Sequence, residues 1–186
     1  MLEPHVVQQT FRGLPTGWLE SGNPTGPILF CLHGFPDDPT IWDRQAEAFK
    51  NDFQILRPFA RGISPSEPSS VLSRYSTKAF ALDCLSILKQ IDATGKRPVV
   101  LLGHDLGAAH AWQLAPLLGP RLKGLVIFNG ASLPQMAKRL RSSRQILKSW
   151  YIFAMQIPWL PETVFRYGAK PMAKITQRLT PLPLHQ

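Results

Sequence analysis

Two cysteines in 186 residues are too few for a disulfide framework. Cys31 falls in a strand-like apolar run and Cys84 in a helix-like one. Both read as buried thiols of a reducing compartment, which points to a cytoplasmic protein. No apolar run reaches the ~20 residues needed to span a bilayer. The N-terminal stretch MLEPHVVQQT lacks the basic cluster and following apolar segment of a secretory signal. Acidic residues are scarce in one region: residues 131–186 hold nine Lys and Arg but a single acid, Glu162, whereas residues 1–130 hold 12 basic and 11 acidic side chains. Such an imbalance can mark a nucleic-acid or membrane surface. The aromatics of 131–186 lie at helix-core spacing and do not alternate with the charges as a stacking platform, so no nucleic-acid partner is expected. No metal or cofactor is expected either.

A hydrophobic share of 44% with 18% charged residues excludes wholesale disorder. Short strands are expected at 5–11 and 16–21 around the Gly-Leu-Pro-Thr-Gly turn at 13–17. The run at 27–32 is continuously apolar and stops at Gly34, as in a strand buried on both faces. Further strands are expected at 53–56, 98–102 and 122–128, with helices at 41–50, 77–91 and 106–118. Strands alternating with helices imply an α/β fold, a mostly parallel sheet with helices on both faces. After Asn129 the pattern turns helical and is broken by Pro158, Pro161, Pro171, Pro181 and Pro183. Two regions are therefore expected, 1–130 and 131–186.

The densest chemistry is the segment GHDLG at 103–107, which follows an expected strand and opens an expected helix. A nucleophile elbow has this context, with the reactive residue on a tight strand-to-helix turn. Gly103 and Gly107 keep Cβ atoms out of that turn, and the helix N-terminus favours negative charge there. The central residue is Asp105, flanked by His104 and Leu106. A carboxylate can displace a leaving group from an alkyl carbon and form an ester. The alternative is that Asp105 only caps the helix. The second motif, His33-Gly34-Phe35-Pro36-Asp37, also follows a strand. If the ester on Asp105 is hydrolysed, an oxyanion develops on that side chain, and the Phe35 and Leu106 N–H groups are the natural donors.

These segments resemble α/β-hydrolases of the epoxide hydrolase and haloalkane dehalogenase type. HGFPDDPTIWDRQ at 33–45 is similar to the oxyanion loop and following helix, and GHDLGA at 103–108 to the elbow with the aspartate that marks this branch. RPFARGISPSEP at 57–68 is similar to the loop after the next strand, though Phe59 and Ser64 depart from the usual Asp-x-Arg-Gly-x-Gly while Arg61 and Gly62 fit. SWYIFAMQIPWLPE at 149–162 resembles the first helices of a helical cap. The resemblance implies an α/β-hydrolase core at 1–130, a partial cap (lid) at 131–186, and Asp105 as the nucleophile. It implies a small hydrophobic electrophile such as an epoxide as substrate. Tyr151, five residues before Gln156, occupies the place of the first cap tyrosine and is the implied proton donor for the opened epoxide. Dehalogenases usually hold halide with a Trp after the nucleophile, and Leu106 has no side-chain donor. A dehalogenase therefore stands second, and a non-catalytic interaction protein third.

The family's general base is a histidine after the last strand, with an acid partner after an earlier one. None of the five histidines here is well placed for it, His185 included. The resemblance also implies that two further strands are absent. The strand at 122–128 would then be a bare edge open to self-association, and the chain a C-terminally truncated form lacking its base.

Overall fold

The computed structural model describes residues 1–130 and Thr163. The chain divides between Leu133 and Pro134 into two units, and everything below concerns the first. Six strands, β1 (Leu2–Phe11), β2 (Leu14–Gly22), β3 (Ile28–Leu32), β4 (Gln54–Pro58), β5 (Val99–His104) and β6 (Leu122–Phe128), form one sheet in the order β1-β2-β4-β3-β5-β6. β4, β3, β5 and β6 are parallel, while β1 and β2 run antiparallel to each other and β2 to β4. Three helices, α1 (Asp43–Phe49), α2 (Thr77–Ile91) and α3 (Leu106–Leu118), cover the two faces.

The all-apolar sequence of β3 follows from its central position, with helices on both sides. Ile28, Phe30 and Leu32 point into a core built with Phe80, Cys84, Ile87 and Leu88 of α2 and Leu114 of α3. Leu29 and Cys31 point the other way, towards Trp42, just before α1, and Ala46 of α1. The period of two along the strand thus sorts one apolar run into two cores. On α2, Phe80, Cys84, Ile87 and Leu88 repeat at helical spacing, and the Ser76 hydroxyl caps the helix by accepting the Ala79 N–H at 3.2 Å. Cys31 and Cys84 are both free and buried.

The first hairpin departs from expectation. Its turn is Arg12–Gly13, with φ of 52° and 79°, not residues 13–17. Two consecutive positive φ values make a tight two-residue turn whose twist suits the flanking strands. Leu14, Pro15, Thr16 and Gly17 all pair with β1. Gly17 stands in a strand because the Pro65 ring lies against it; a Cβ there would meet Pro65 Cγ at 2.3 Å. On β6, which pairs with β5, Val126 and Phe128 are 44% and 46% exposed. Among the described residues no helix is long and apolar enough to cross a membrane.

Candidate functional site

β5 ends at His104 and α3 begins at Leu106, so Asp105 alone makes the corner. Its φ of 53° and ψ of −117° are sparsely populated for a residue with a side chain, at a cost of about 1–3 kcal/mol. The surroundings hold it there. The Asp105 N–H donates to the Phe128 carbonyl at 3.0 Å, and its carbonyl accepts the Ala108 N–H at 3.0 Å. The side chain makes no capping bond to α3. Its Oδ1 instead accepts the Phe35 N–H at 3.1 Å, from a residue 70 positions earlier.

The motif glycines are required by close approach. A Cβ on Gly107 would meet the Leu32 carbonyl oxygen at 2.2 Å, and one on Gly103 the Gly107 carbonyl oxygen at 2.8 Å. A Cβ on Gly34 would meet Asp105 Cβ at 2.5 Å and Oδ1 at 2.8 Å. The start of α3 is therefore pressed onto the end of β3, and the 33–37 loop onto the carboxylate.

His33 is 4% exposed and engages both ring nitrogens. Nε2 accepts the Ala60 N–H at 3.1 Å, so Nδ1 carries the proton and donates it to the Gly34 carbonyl at 2.8 Å. Burial holds its pKa below the ordinary histidine value, against the opposing pull of the Gly34 carbonyl and of Asp38 and Asp37. The Gly34 carbonyl and the Phe35 N–H belong to one planar peptide and point in opposite directions. Tying the first to His33 aims the second at Asp105. The next peptide, Phe35–Pro36, is cis. Asp38 then caps the short 3₁₀ turn Pro39–Trp42, accepting the Thr40 N–H at 2.8 Å. The Thr40 hydroxyl and N–H together lower its carboxyl pKa.

His104 points elsewhere. Its Nδ1 lies 3.4 Å from Asp37 Oδ2 and its Nε2 3.4 Å from the Asn129 amide nitrogen. It lines a hollow of about 370 Å³ with Trp42, Gln45 and Phe128, whose lining does not include Asp105. His110 is buried against Phe80, with ring centroids 4.5 Å apart. The structure thus brings together Asp105, Phe35, Gly34 and His33, and places Leu106 at the start of α3. Tyr151 lies outside the described residues. Two participants were not read from the sequence. Asn129 follows β6 with no motif around it, and Ala60 contributes only its main chain. Among the described residues no three His, Cys, Asp or Glu side chains gather as a metal site.

Residues 27–176 match the model of the alpha/beta hydrolase fold family. The chain belongs to that family. This α/β-hydrolase is 30% identical over 151 residues to mouse epoxide hydrolase 3, covering 81% of the chain and 40% of the relative. It is 32% identical over 156 residues to human epoxide hydrolase 4, covering 82% and 42%. The α/β-hydrolase is thus epoxide hydrolase-like in sequence, and it spans less than half the length of these two relatives. Among solved structures, an epoxide hydrolase variant from Vigna radiata superposes with a TM-score of 0.74 at 25% identity, over 88% of this chain and 51% of that one. A second Vigna radiata epoxide hydrolase gives 0.76 at 22%, over 96% and 57%, a likeness of fold alone.

Proposed function

We propose that this chain carries the nucleophile half of an epoxide hydrolase active site, with Asp105 as the nucleophile. The supporting observation is the Asp105 carboxylate on its strained corner, uncommitted to capping and held by the Phe35 N–H at 3.1 Å. An oxygen of that carboxylate attacks an epoxide carbon. The ring C–O bond breaks, and the enzyme ester of a hydroxyalkyl group results once the alkoxide gains a proton. Tyr151 is the proposed donor of that proton. Water would next attack the carboxyl carbon of Asp105. The oxyanion then forms on an oxygen of the former carboxylate, where the Phe35 and Leu106 N–H groups stabilise it. Leu106 offers no side-chain donor for a departing halide, which favours an epoxide over a haloalkane.

Hydrolysis of the ester needs a general base. His33 uses both nitrogens within the loop, His104 faces Asp37 and Asn129, and His110 is buried against Phe80. His5 is on β1, at the far edge of the sheet. His185 is outside the described residues. Among the described residues no histidine faces Asp105, and the reading is that these residues carry the reaction only as far as the ester. Incubated with an aryl epoxide, the purified chain should gain one epoxide mass, stable over hours and absent in Asp105→Asn. Many turnovers abolished by Asp105→Asn would overturn the arrest. Neither adduct nor turnover would overturn the nucleophile. β6 stands at the end of the described sheet and exposes Val126 and Phe128, which supports a second reading, self-association through that strand. Discrete oligomers in light scattering would favour it, and monomers would exclude it.

A further inference from the structure

We propose that Arg61, held by Asp83, is a positioning residue that aims the Phe35 N–H at Asp105 by fixing which nitrogen of His33 is the acceptor. The chain of contacts is short. The Asp83 side chain is 1% exposed and that of Arg61 is 3% exposed, with Nη2 and Oδ2 2.5 Å apart. Arg12 reaches the other oxygen of Asp83 at 3.3 Å. The same Arg61 guanidinium contacts Thr16 Oγ1 and the Glu67 carbonyl, each at 3.4 Å. Arg61 thereby ties the loop after β4 to both α2 and β2.

The residue before Arg61 is Ala60, whose N–H donates to His33 Nε2. On its other side Phe59 is pinned, its N–H on the Gly17 carbonyl at 3.0 Å and its own carbonyl accepting from the Ser66 hydroxyl at 3.0 Å. Ala60 is thus held from both flanks, by a main-chain anchor at 59 and an ion-pair anchor at 61. With Nε2 engaged as an acceptor, the ring proton must sit on Nδ1 and bond the Gly34 carbonyl. The peptide that follows then presents its N–H to Asp105 Oδ1. If Arg61 lets go, Ala60 loses one flank and Nε2 can take a proton. Nδ1 then need not donate, and the Gly34–Phe35 peptide loses the bond to His33 that orients it. The burial that disfavours a charged His33 acts in the same direction as the Ala60 contact.

The test uses the full chain and two readouts, of which only the second rests on the Asp105 proposal. The first is the ¹⁵N imidazole spectrum of His33, assigned by its loss in His33→Asn. Wild type should show a neutral ring protonated on Nδ1 at pH 7.5. Arg61→Gln should show a mixture of tautomers and a titration midpoint shifted upward. Arg61→Lys, which keeps a cation on Asp83, should lie nearer wild type. A merely structural Arg61 would lower the melting temperature and leave the spectrum of the folded protein unchanged. An unchanged His33 spectrum in folded Arg61→Gln overturns the proposal. If that variant does not fold, Asp83→Asn, which removes the carboxylate that holds Arg61, is read in its place: mixed tautomers support the proposal, and an unchanged spectrum overturns it. The second readout is the rate of the Asp105 adduct, expected to fall about tenfold or more in Arg61→Gln and to recover in Arg61→Lys. If wild type forms no adduct, the nucleophile proposal fails and the spectrum alone decides the role of Arg61.

Discussion

His110 should make the fold sensitive to mild acid. It lies on α3, 5% exposed, packed on Phe80, and its Nδ1 has no hydrogen-bond partner. Burial chiefly, with nearby His33 adding repulsion, lowers its pKa from 6.5 to about 4, against the Thr77 carbonyl, which favours the proton. The folded pKa lies below the unfolded one. Between pH 6.5 and 4 the unfolded chain therefore takes up a proton that the folded chain refuses. Stability is full above pH 6.5 and declines as the pH falls through this window. With those two values the loss at pH 5 is about 2 kcal/mol, a sizeable part of the ~5–15 kcal/mol typical of a domain. Urea unfolding of wild type and His110→Leu at pH 7.5 and 5.0 isolates the effect. The substitution leaves the Thr77 carbonyl without its ring partner, but that cost is common to both pH values and cancels in the comparison. Asp38 and Asp92, whose carboxyl pKa values lie below 3.8, do not titrate in this range. Wild type should lose about 2 kcal/mol more than His110→Leu on acidification. Equal losses would refute the buried, neutral His110.

Gly34→Ala places a methyl carbon 2.5 Å from Asp105 Cβ, about 1 Å inside normal contact, so the loop and the carboxylate must part. The Asp105 adduct should then form about 100-fold more slowly, with far-UV circular dichroism unchanged; a wild-type rate would show that the close approach of Gly34 does not position the carboxylate. Cys31, its thiol pKa pushed up to about 12 by burial, and Cys84, raised for the same reason, should resist a disulfide reagent at pH 8 until urea unfolds the sheet. Rapid labelling of native protein would contradict the packing of β3 and α2.

The sequence-visible part of this structure is the part governed by local rules. α2 and α3 begin and end where periodicity indicates, because helical spacing acts within a few positions, and the Ser76 cap adds to it at the start of α2. The apolar runs at 28–32 and 99–102 are legible as buried strands for the same reason. The hairpin turn was displaced because Gly17 and Pro15 resemble turn residues, whereas the Gly17 position is dictated by Pro65, a contact across 48 positions.

The site divides along the same line. The sequence positions of Gly34, Gly103 and Gly107 are conspicuous, but the reason for each is a backbone or side chain from elsewhere: the Asp105 side chain, the Gly107 carbonyl and the Leu32 carbonyl. His33 is legible as a motif residue, yet its tautomer is decided by the main-chain amide of Ala60, 27 positions on. An amide carries no side-chain signature, so composition and spacing cannot reveal it. What can reveal it is a charged neighbour that the local pattern does not explain. Asp83 interrupts the apolar face of α2 beside Cys84, a place where a carboxylate is costly unless it is paired. Arg61 sits in a loop where a solvated cation would serve as well, yet it is 9% exposed. The pair is thus the visible trace of a backbone constraint, and following a buried charge to the segment it immobilises leads from α2, through the loop after β4, to the N–H that faces Asp105.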